Sequence, residues 1–209
     1  MALLEDLKWR AAIKIFDADK KVSDEQLNDL LAAARLAPSS GGLQPYRIIV
    51  VTDPAVRAKL REVGYNQAQI TDASALIIFA AETKVDEQLV ATFIDNVATT
   101  RGVDRASLAG FEGMVNGSIK SRTEAENIAW AQKQAYISVG VLTAAAADLK
   151  IDACSMEGFS VDGFNEVLGL TEKGLTASVA VAVGYRSDAD VYSKAAKVRK
   201  PEDQLFIRI

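Results

Sequence analysis

Four short stretches of the chain gather residues able to bind or tune a charged ligand. In "WRAAIKIFD", Arg10 and Lys14 stand four residues apart, on one face if the N-terminal helix continues that far. In "SSGGLQP", Ser39, Ser40 and Gln44 offer donors and acceptors, while Gly41 and Gly42 let a backbone come close to something. "SMEGF" ends a strand at Glu157 and Gly158, where backbone amides leaving the sheet can donate to a ligand. "AKVRKP" sets Lys197 and Arg199 on the same side of an extended segment, a spacing suited to phosphate. Each stretch also has a plainer reading: a solvated basic face, a helix stop, a turn, a solvated tail. The helix stop accounts for Pro38 to Gly42 but leaves Gln44 before Pro45 unexplained.

Composition removes many other chemistries. The 209 residues contain no histidine, so a Ser-His-Asp or Cys-His centre and a His-ligated metal site are excluded. Cys154 is the only cysteine, which excludes an internal disulfide and Cys-pair metal sites; it is most simply a small buried hydrophobe. Neither G-x-G-x-x-G after a strand nor G-x-x-x-x-G-K-[ST] occurs, leaving a dinucleotide-binding Rossmann unit and a P-loop unsupported. The net charge is −4 and the basic residues are scattered, so neither nucleic acid nor a membrane surface is an expected partner. "MALLEDLKWR" carries acidic residues where a signal peptide needs a basic start, and "AYISVGVLTAAAA" is too short to span a bilayer. A cytoplasmic location is expected.

The elements that must position these residues follow from periodicity and caps. Leu3, Leu4, Leu7 and Ala11 keep helical spacing, and Ser23 with Gln26 forms a capping box for a second helix reaching the serine-glycine stretch. "RIIVV" is a buried strand, Asp53-Pro54 starts a helix to Val63, and "SALIIFAAE" is the second strand. Helical periodicity returns from Val85 to about Thr100 and is lost in residues 101–118, expected to be a mobile loop or broken helix. Ser121 and Glu124 form a further capping box before a long central helix to Leu149. Strands at "IDACSM" and "TASVAVAVGY" flank a helix over 161–168, residues 188–203 lie on a surface, and "QLFIRI" alternates like an edge strand. Without strict βαβ order or an internal repeat, one α+β domain over 1–209 is expected, a three-layer α-β-α sandwich around a mixed, mainly antiparallel sheet.

Taken in order, R-x-x-x-K near the start, P-S-S-x-x-x-Q-P near 40, D-A-S near 72, E-G-F near 157, E-K-G at 172–174 and K-x-R-x-P near the end resemble the FMN-dependent nitroreductase family. The resemblance is closest to its oxygen-insensitive NAD(P)H nitroreductase and dihydropteridine reductase branch, spans nearly the whole chain and is weakest between Val85 and Arg122. It implies a homodimer with FMN at the subunit interface. In that family pattern Ser39, Ser40, Gly41, Gly42 and Gln44 match a loop donated from the partner subunit to pack on the flavin. Arg10, Lys197 and Arg199 match ligands of the FMN phosphate, with Ala11 and Ala12 beside Arg10. Lys14 and Asn66 match the pyrimidine edge, where a cation stabilises negative charge gained on reduction, and Gln69 matches a further cofactor-binding position. Met156 precedes Glu157 and Gly158, whose backbone amides match the approach to flavin N5. Ala12 stands where the family usually has a hydroxyl, Gly42 for a common asparagine, Gln69 for lysine and Ser155 for a frequent proline.

The expected activity is ping-pong: NADH or NADPH reduces the flavin and leaves, and a nitroaromatic or quinone takes its place. Reductive dehalogenation or flavin destruction on the same fold, or a flavin-binding protein with little turnover, are the rival expectations. Residues 101–118, with Phe111 as their only aromatic, are assigned either to the acceptor side or to a packed helix corner.

Overall fold

The computed structural model describes residues 1–209. Its core is a four-stranded sheet: β1 (Tyr46–Val51), β2 (Ala75–Glu82), β3 (Asp152–Met156) and β4 (Leu175–Gly184), in the order β1-β2-β4-β3. Every pairing within the chain is antiparallel, so the mainly antiparallel sheet expected has no parallel pair here. The two central strands are apolar runs without alternation because both their faces are covered. Leu76, Ile78, Ala180, Ala182, Cys154 and Met156 point to one core. Ile77, Phe79, Ala153, Val179, Val181 and Val183 point to the other.

Helices close both faces, giving the three layers. The first core is covered by α3 (Pro54–Val63), α4 (Gln69–Asp72) and α8 (Val161–Leu168). The second is covered by α2 (Asp24–Arg35) and by α7 (Glu124–Asp148), which crosses all four strands. Ser138 of α7 lets α2 come close, donating from Oγ to the Ala34 carbonyl at 2.8 Å. A third cluster joins α5 (Glu87–Arg101) and α6 (Ala109–Lys120) to Leu43 and Ala131. The remaining helices are α1 (Ala2–Trp9) and a terminal turn, α9 (Glu202–Leu205).

Local chemistry explains the boundaries. Ser23 and Gln26 form the expected capping box, and Asp53 accepts from two amides at the start of α3. The box of α7 is Thr123 with Glu126, not Ser121 with Glu124: α6 runs to Lys120 and takes Ser121 as its C-cap, which displaces the start of α7 by two residues. Residues 101–118 are a broken helix, a 3-10 turn at Arg105–Leu108 followed by α6. Phe111 packs edge-on against Phe93 at 6.2 Å, the helix-corner role.

Two further expectations fail. The tail is no edge strand of its own sheet; it forms α9, and Phe206, Ile207 and Ile209 are left exposed without a strand partner. The first helix stops at Trp9, because Arg10 turns extended (φ −61°, ψ 142°), so Arg10 and Lys14 do not share a helical face. The segment is instead pinned by Asp190, whose buried Oδ2 accepts from the Lys14 and Ile15 amides at 2.8 and 2.9 Å.

Candidate functional site

The pinning by Asp190 assembles the basic residues that the helix was expected to align. Asp190 Oδ1 also accepts from the Ser193 amide at 2.7 Å, so one carboxylate ties the segment carrying Arg10 and Lys14 to the loop leading to Lys197 and Arg199. The result is a cleft of about 370 Å³ lined by Arg10, Ala11, Ala12, Lys14, Tyr192, Lys197 and Arg199 among others, with no carboxylate in its wall. Arg10 Nε is buried there without a hydrogen-bond partner. Burial, helped by the nearby Arg10, Arg199 and Arg186 charges, pushes the Lys197 ammonium below its usual pKa. Lys197 donates to the carbonyls of Leu7, Lys8 and Arg10, capping the open end of α1. Uncompensated cations and an unpartnered buried donor are what an anion removes on binding.

The chain just before Arg10 is held by aromatic and ionic contacts. Trp9 lies beneath Arg186, whose Cζ is 4.4 Å from the ring centroid, and Arg186 in turn forms a bidentate pair with buried Asp152. Lys14 extends toward β3, its Nζ 3.6 Å from Cys154 Sγ. Burial pushes the Cys154 thiol up, with Lys14 opposing that, and the side chain lies fully inside the first core. Cys154 is the small core residue expected.

Two residues further along the same strand come Met156, buried, and then Glu157 and Gly158, exposed. Neither the Glu157 nor the Gly158 N–H donates to an acceptor within the chain, so two successive amides are free at the end of β3. Their orientation is set by neighbours. The Gly158 carbonyl accepts from Gln67 Nε2 at 2.6 Å, the Glu157 carbonyl accepts from the Phe159 amide at 2.9 Å, and Tyr136 donates to Glu157 Oε1 at 2.6 Å. Burial and the Glu157 carboxylate together raise the Tyr136 pKa, keeping it a donor. Gln67 also donates to the Gly64 carbonyl, and its Oε1 accepts from Gln69 at 3.2 Å. A flipped Gln67 amide would face two carbonyls with its oxygen, so the network has one orientation.

Arg10, Lys14, Lys197 and Arg199 therefore share one cleft, and Glu157 and Gly158 lie beyond it past the end of β3. Asn66 and Gln69 lie on the adjacent turn, but Asn66 Oδ1 is taken by Arg61 and buried Gln69 serves Gln67. Ser39, Ser40, Gly41, Gly42 and Gln44 line other surfaces and do not reach the cation cleft within one chain. They form a tight turn in which Gly41 and Gly42 have positive φ, Ser40 N–H donates to Gln134 Oε1, and Gln44 Nε2 donates to the Arg35 carbonyl. The last contact gives Gln44 a role that a helix stop did not require. Asp190, Gln67 and Tyr136 were not legible in the sequence; Gln67 stands inside the block between Asn66 and Gln69, the only local signal for it.

The Nitroreductase family model matches residues 7–185 of this chain. YfkO of Bacillus subtilis, placed by its name among NAD(P)H nitroreductases, is 35% identical over 195 residues, 88% of each protein. Among solved structures, Bacillus subtilis YdfN superposes with a TM-score of 0.88 at 18% identity, over 99% of this chain and 98% of its own. A protein of Exiguobacterium sibiricum solved in complex with FMN gives 0.85 at 22% identity, over 99% and 97%. The family match takes in most of the residues, and the likeness to YfkO runs along nearly the same length, so this chain belongs to the nitroreductase family.

Proposed function

We propose that the protein is an FMN-dependent oxidoreductase that draws electrons from NADH or NADPH and delivers them to a nitroaromatic or quinone acceptor, working as a cytoplasmic homodimer. The observation that carries this reading is the carboxylate-free cleft, in which Arg10 Nε is buried without a partner among Lys14, Lys197 and Arg199. That donor set fits a phosphate, and the amides of Glu157 and Gly158 lie beyond it, just past the end of the strand that Lys14 touches. Bound FMN supplies a two-electron carrier between nicotinamide and acceptor, a chemistry for which a chain without histidine needs no acid-base residue of its own.

The residues divide the remaining work. Arg10 and Arg199 hold the phosphate, and Lys197, whose three N–H groups already serve the carbonyls of Leu7, Lys8 and Arg10, adds its positive charge beside them, with Ala11 and Ala12 forming the adjoining wall. Lys14 places a positive charge at the pyrimidine edge, near Asn66 and Gln69, and so favours the reduced form. Glu157 and Gly158 present backbone donors where the hydride is exchanged, with Met156 anchoring them to the core. Ser39, Ser40, Gly41, Gly42 and Gln44 cover the flavin of the partner subunit and keep water out. The dimer is supported by exposed apolar residues on three elements, Leu3, Leu4 and Leu7 of α1, Tyr136 and Ile137 of α7, and the Phe206–Ile209 tail. No helix is long and apolar enough to cross a membrane.

The visible spectrum of the purified protein tests the reading. Oxidised-flavin bands that bleach with NADH or NADPH and return on adding p-benzoquinone or nitrofurazone without oxygen are expected. A colourless protein that fails to take up added FMN overturns it. Gln67→Ala removes three neutral hydrogen bonds, those to the Gly64 and Gly158 carbonyls and the one from Gln69, of which only the bond to Gly158 holds the turn beside the flavin. Reduction by NAD(P)H in stopped flow is expected to slow by about two- to tenfold, with FMN affinity changing less than the rate; an unaltered rate shows that the turn holds without Gln67.

A further inference from the structure

Beside the Ser40 turn lies a second, smaller pocket of about 200 Å³, walled by Ser40, Gly41 and Leu43, by Met114, Val115, Ser118 and Ile119 of α6, and by Arg122 and Trp130. Its floor is apolar and one cation faces it. The Arg122 guanidinium stacks on Trp130, Cζ 5.0 Å from the ring centroid, which leaves the edges of the fork as its bonding surface. Those edges are little used. Nη1 donates to Asn127 Oδ1 at 3.3 Å and Nη2 to Ser118 Oγ at 2.9 Å, both neutral acceptors, so three of five N–H donors remain.

None of the surrounding carboxylates pairs with Arg122, and Glu124, which lines the neighbouring cavity with it, is exposed and makes no ion pair. Glu126, which feels the Arg122 charge, turns its Oε2 to the Thr123 amide and hydroxyl in the capping box. On the far side, Asp86 and Glu87 pair with Lys84 and Lys120. The pocket is also tied rigidly to the turn. Ser40 N–H donates to Gln134 Oε1 at 2.8 Å, and Gln134 Nε2 donates to the Trp130 carbonyl at 3.0 Å.

We propose that this pocket is an acceptor subsite for flat, carboxylate-bearing molecules, and that Arg122 determines that specificity. The inference rests on the flavoenzyme reading, in which the Ser40 turn covers the flavin; an acceptor lying there extends its substituent toward Arg122. The fork binds a carboxylate in a bidentate manner, and a carboxylate is a better match than a phosphate because a single cation among apolar walls balances one negative charge and gives no clamp for a dianion. The volume, below the ~300–1,000 Å³ of pockets for drug-sized ligands, takes one substituted ring and excludes a dinucleotide. Trp130, Leu43, Val115 and Ile119 receive the ring, and Arg122 receives the charge.

The test compares 4-nitrobenzoate with its methyl ester as acceptor, using the FMN-loaded enzyme and the variants Arg122→Met and Arg122→Lys. The ratio of kcat/KM for acid over ester is expected to fall about tenfold or more in Arg122→Met, chiefly through KM, and to fall less in Arg122→Lys, which keeps the charge without the fork. A ratio unchanged in both variants, with both acceptors still reduced, overturns the subsite alone. A protein that binds no flavin overturns the subsite together with the flavoenzyme reading. Flavin content and circular dichroism establish that each variant is folded, and Arg122→Lys carries the test if Arg122→Met is not.

Discussion

Arg10→Ala is expected to weaken FMN binding by roughly 10- to 150-fold while changing riboflavin affinity far less. The size follows from losing a hydrogen bond between charged partners, worth about 1.5–3 kcal/mol. Arg10 merits the larger estimate because its Nε is already buried and unpartnered, so its desolvation is met before the ligand arrives. Arg199 also lines the cleft, but its side chain is exposed and its Nη1 donates to the neighbouring Val198 carbonyl. Arg199→Ala is therefore expected to cost less. Riboflavin, which lacks the phosphate, separates loss of the clamp from loss of the fold: equal weakening of both ligands, measured by flavin fluorescence titration, removes Arg10 from the phosphate site. Added salt should weaken FMN binding in the native protein more than in the variant, since the clamp is reached from solvent.

What could be read in advance follows a physical division between short-range and long-range determinants. The capping box at Ser23 and the Asp53-Pro54 start are completed within four residues, and both stand in the structure as the spacing implied. The box before α7 was ambiguous because Ser121-x-x-Glu124 and Thr123-x-x-Glu126 overlap, and only the full length of α6 selects between them. The strands were legible from apolar runs, though "RIIVV", expected buried, forms the half-buried edge strand β1, and the alternating tail was not decisive. Alternation shows that a strand can form, yet a strand needs an edge to pair with, and the tail meets neither β1 nor β3 of its own sheet. Arg10 and Lys14 were identified from helical spacing that the chain does not adopt. They come together all the same because Asp190, 176 residues beyond Lys14, holds the extended segment. No local pattern contains that contact. Gln67 escaped for a related reason: an amide side chain bridging two turns has no spacing rule, only a geometry.

Asp190→Ala is expected to lower stability by about 3 kcal/mol, because it strands the Lys14, Ile15 and Ser193 amides that the buried carboxylate now satisfies. At this chain length that corresponds to a fall of roughly 6–12 °C in Tm. FMN affinity should fall with it, since the same carboxylate joins the segment bearing Arg10 and Lys14 to the loop before Lys197 and Arg199. The pH dependence separates charge from packing. Burial alone would raise the Asp190 pKa, but the backbone donors from Ile15, Ser193 and Lys14 prevail and hold it below the usual carboxylate value. A carboxylate whose folded pKa is depressed adds stability that is complete above its unfolded pKa, near ~3.9, and disappears as pH falls through the folded value. Thermal melts of the native protein should therefore lose the Asp190 contribution below about pH 4. Asp190→Asn keeps the shape and removes the charge, so it should be less stable at neutral pH and show a flatter profile across that acid window. Melting curves of Asp190→Asn that coincide with those of the native protein from pH 3 to 7 would show that the segment is held by its packing and not by the carboxylate.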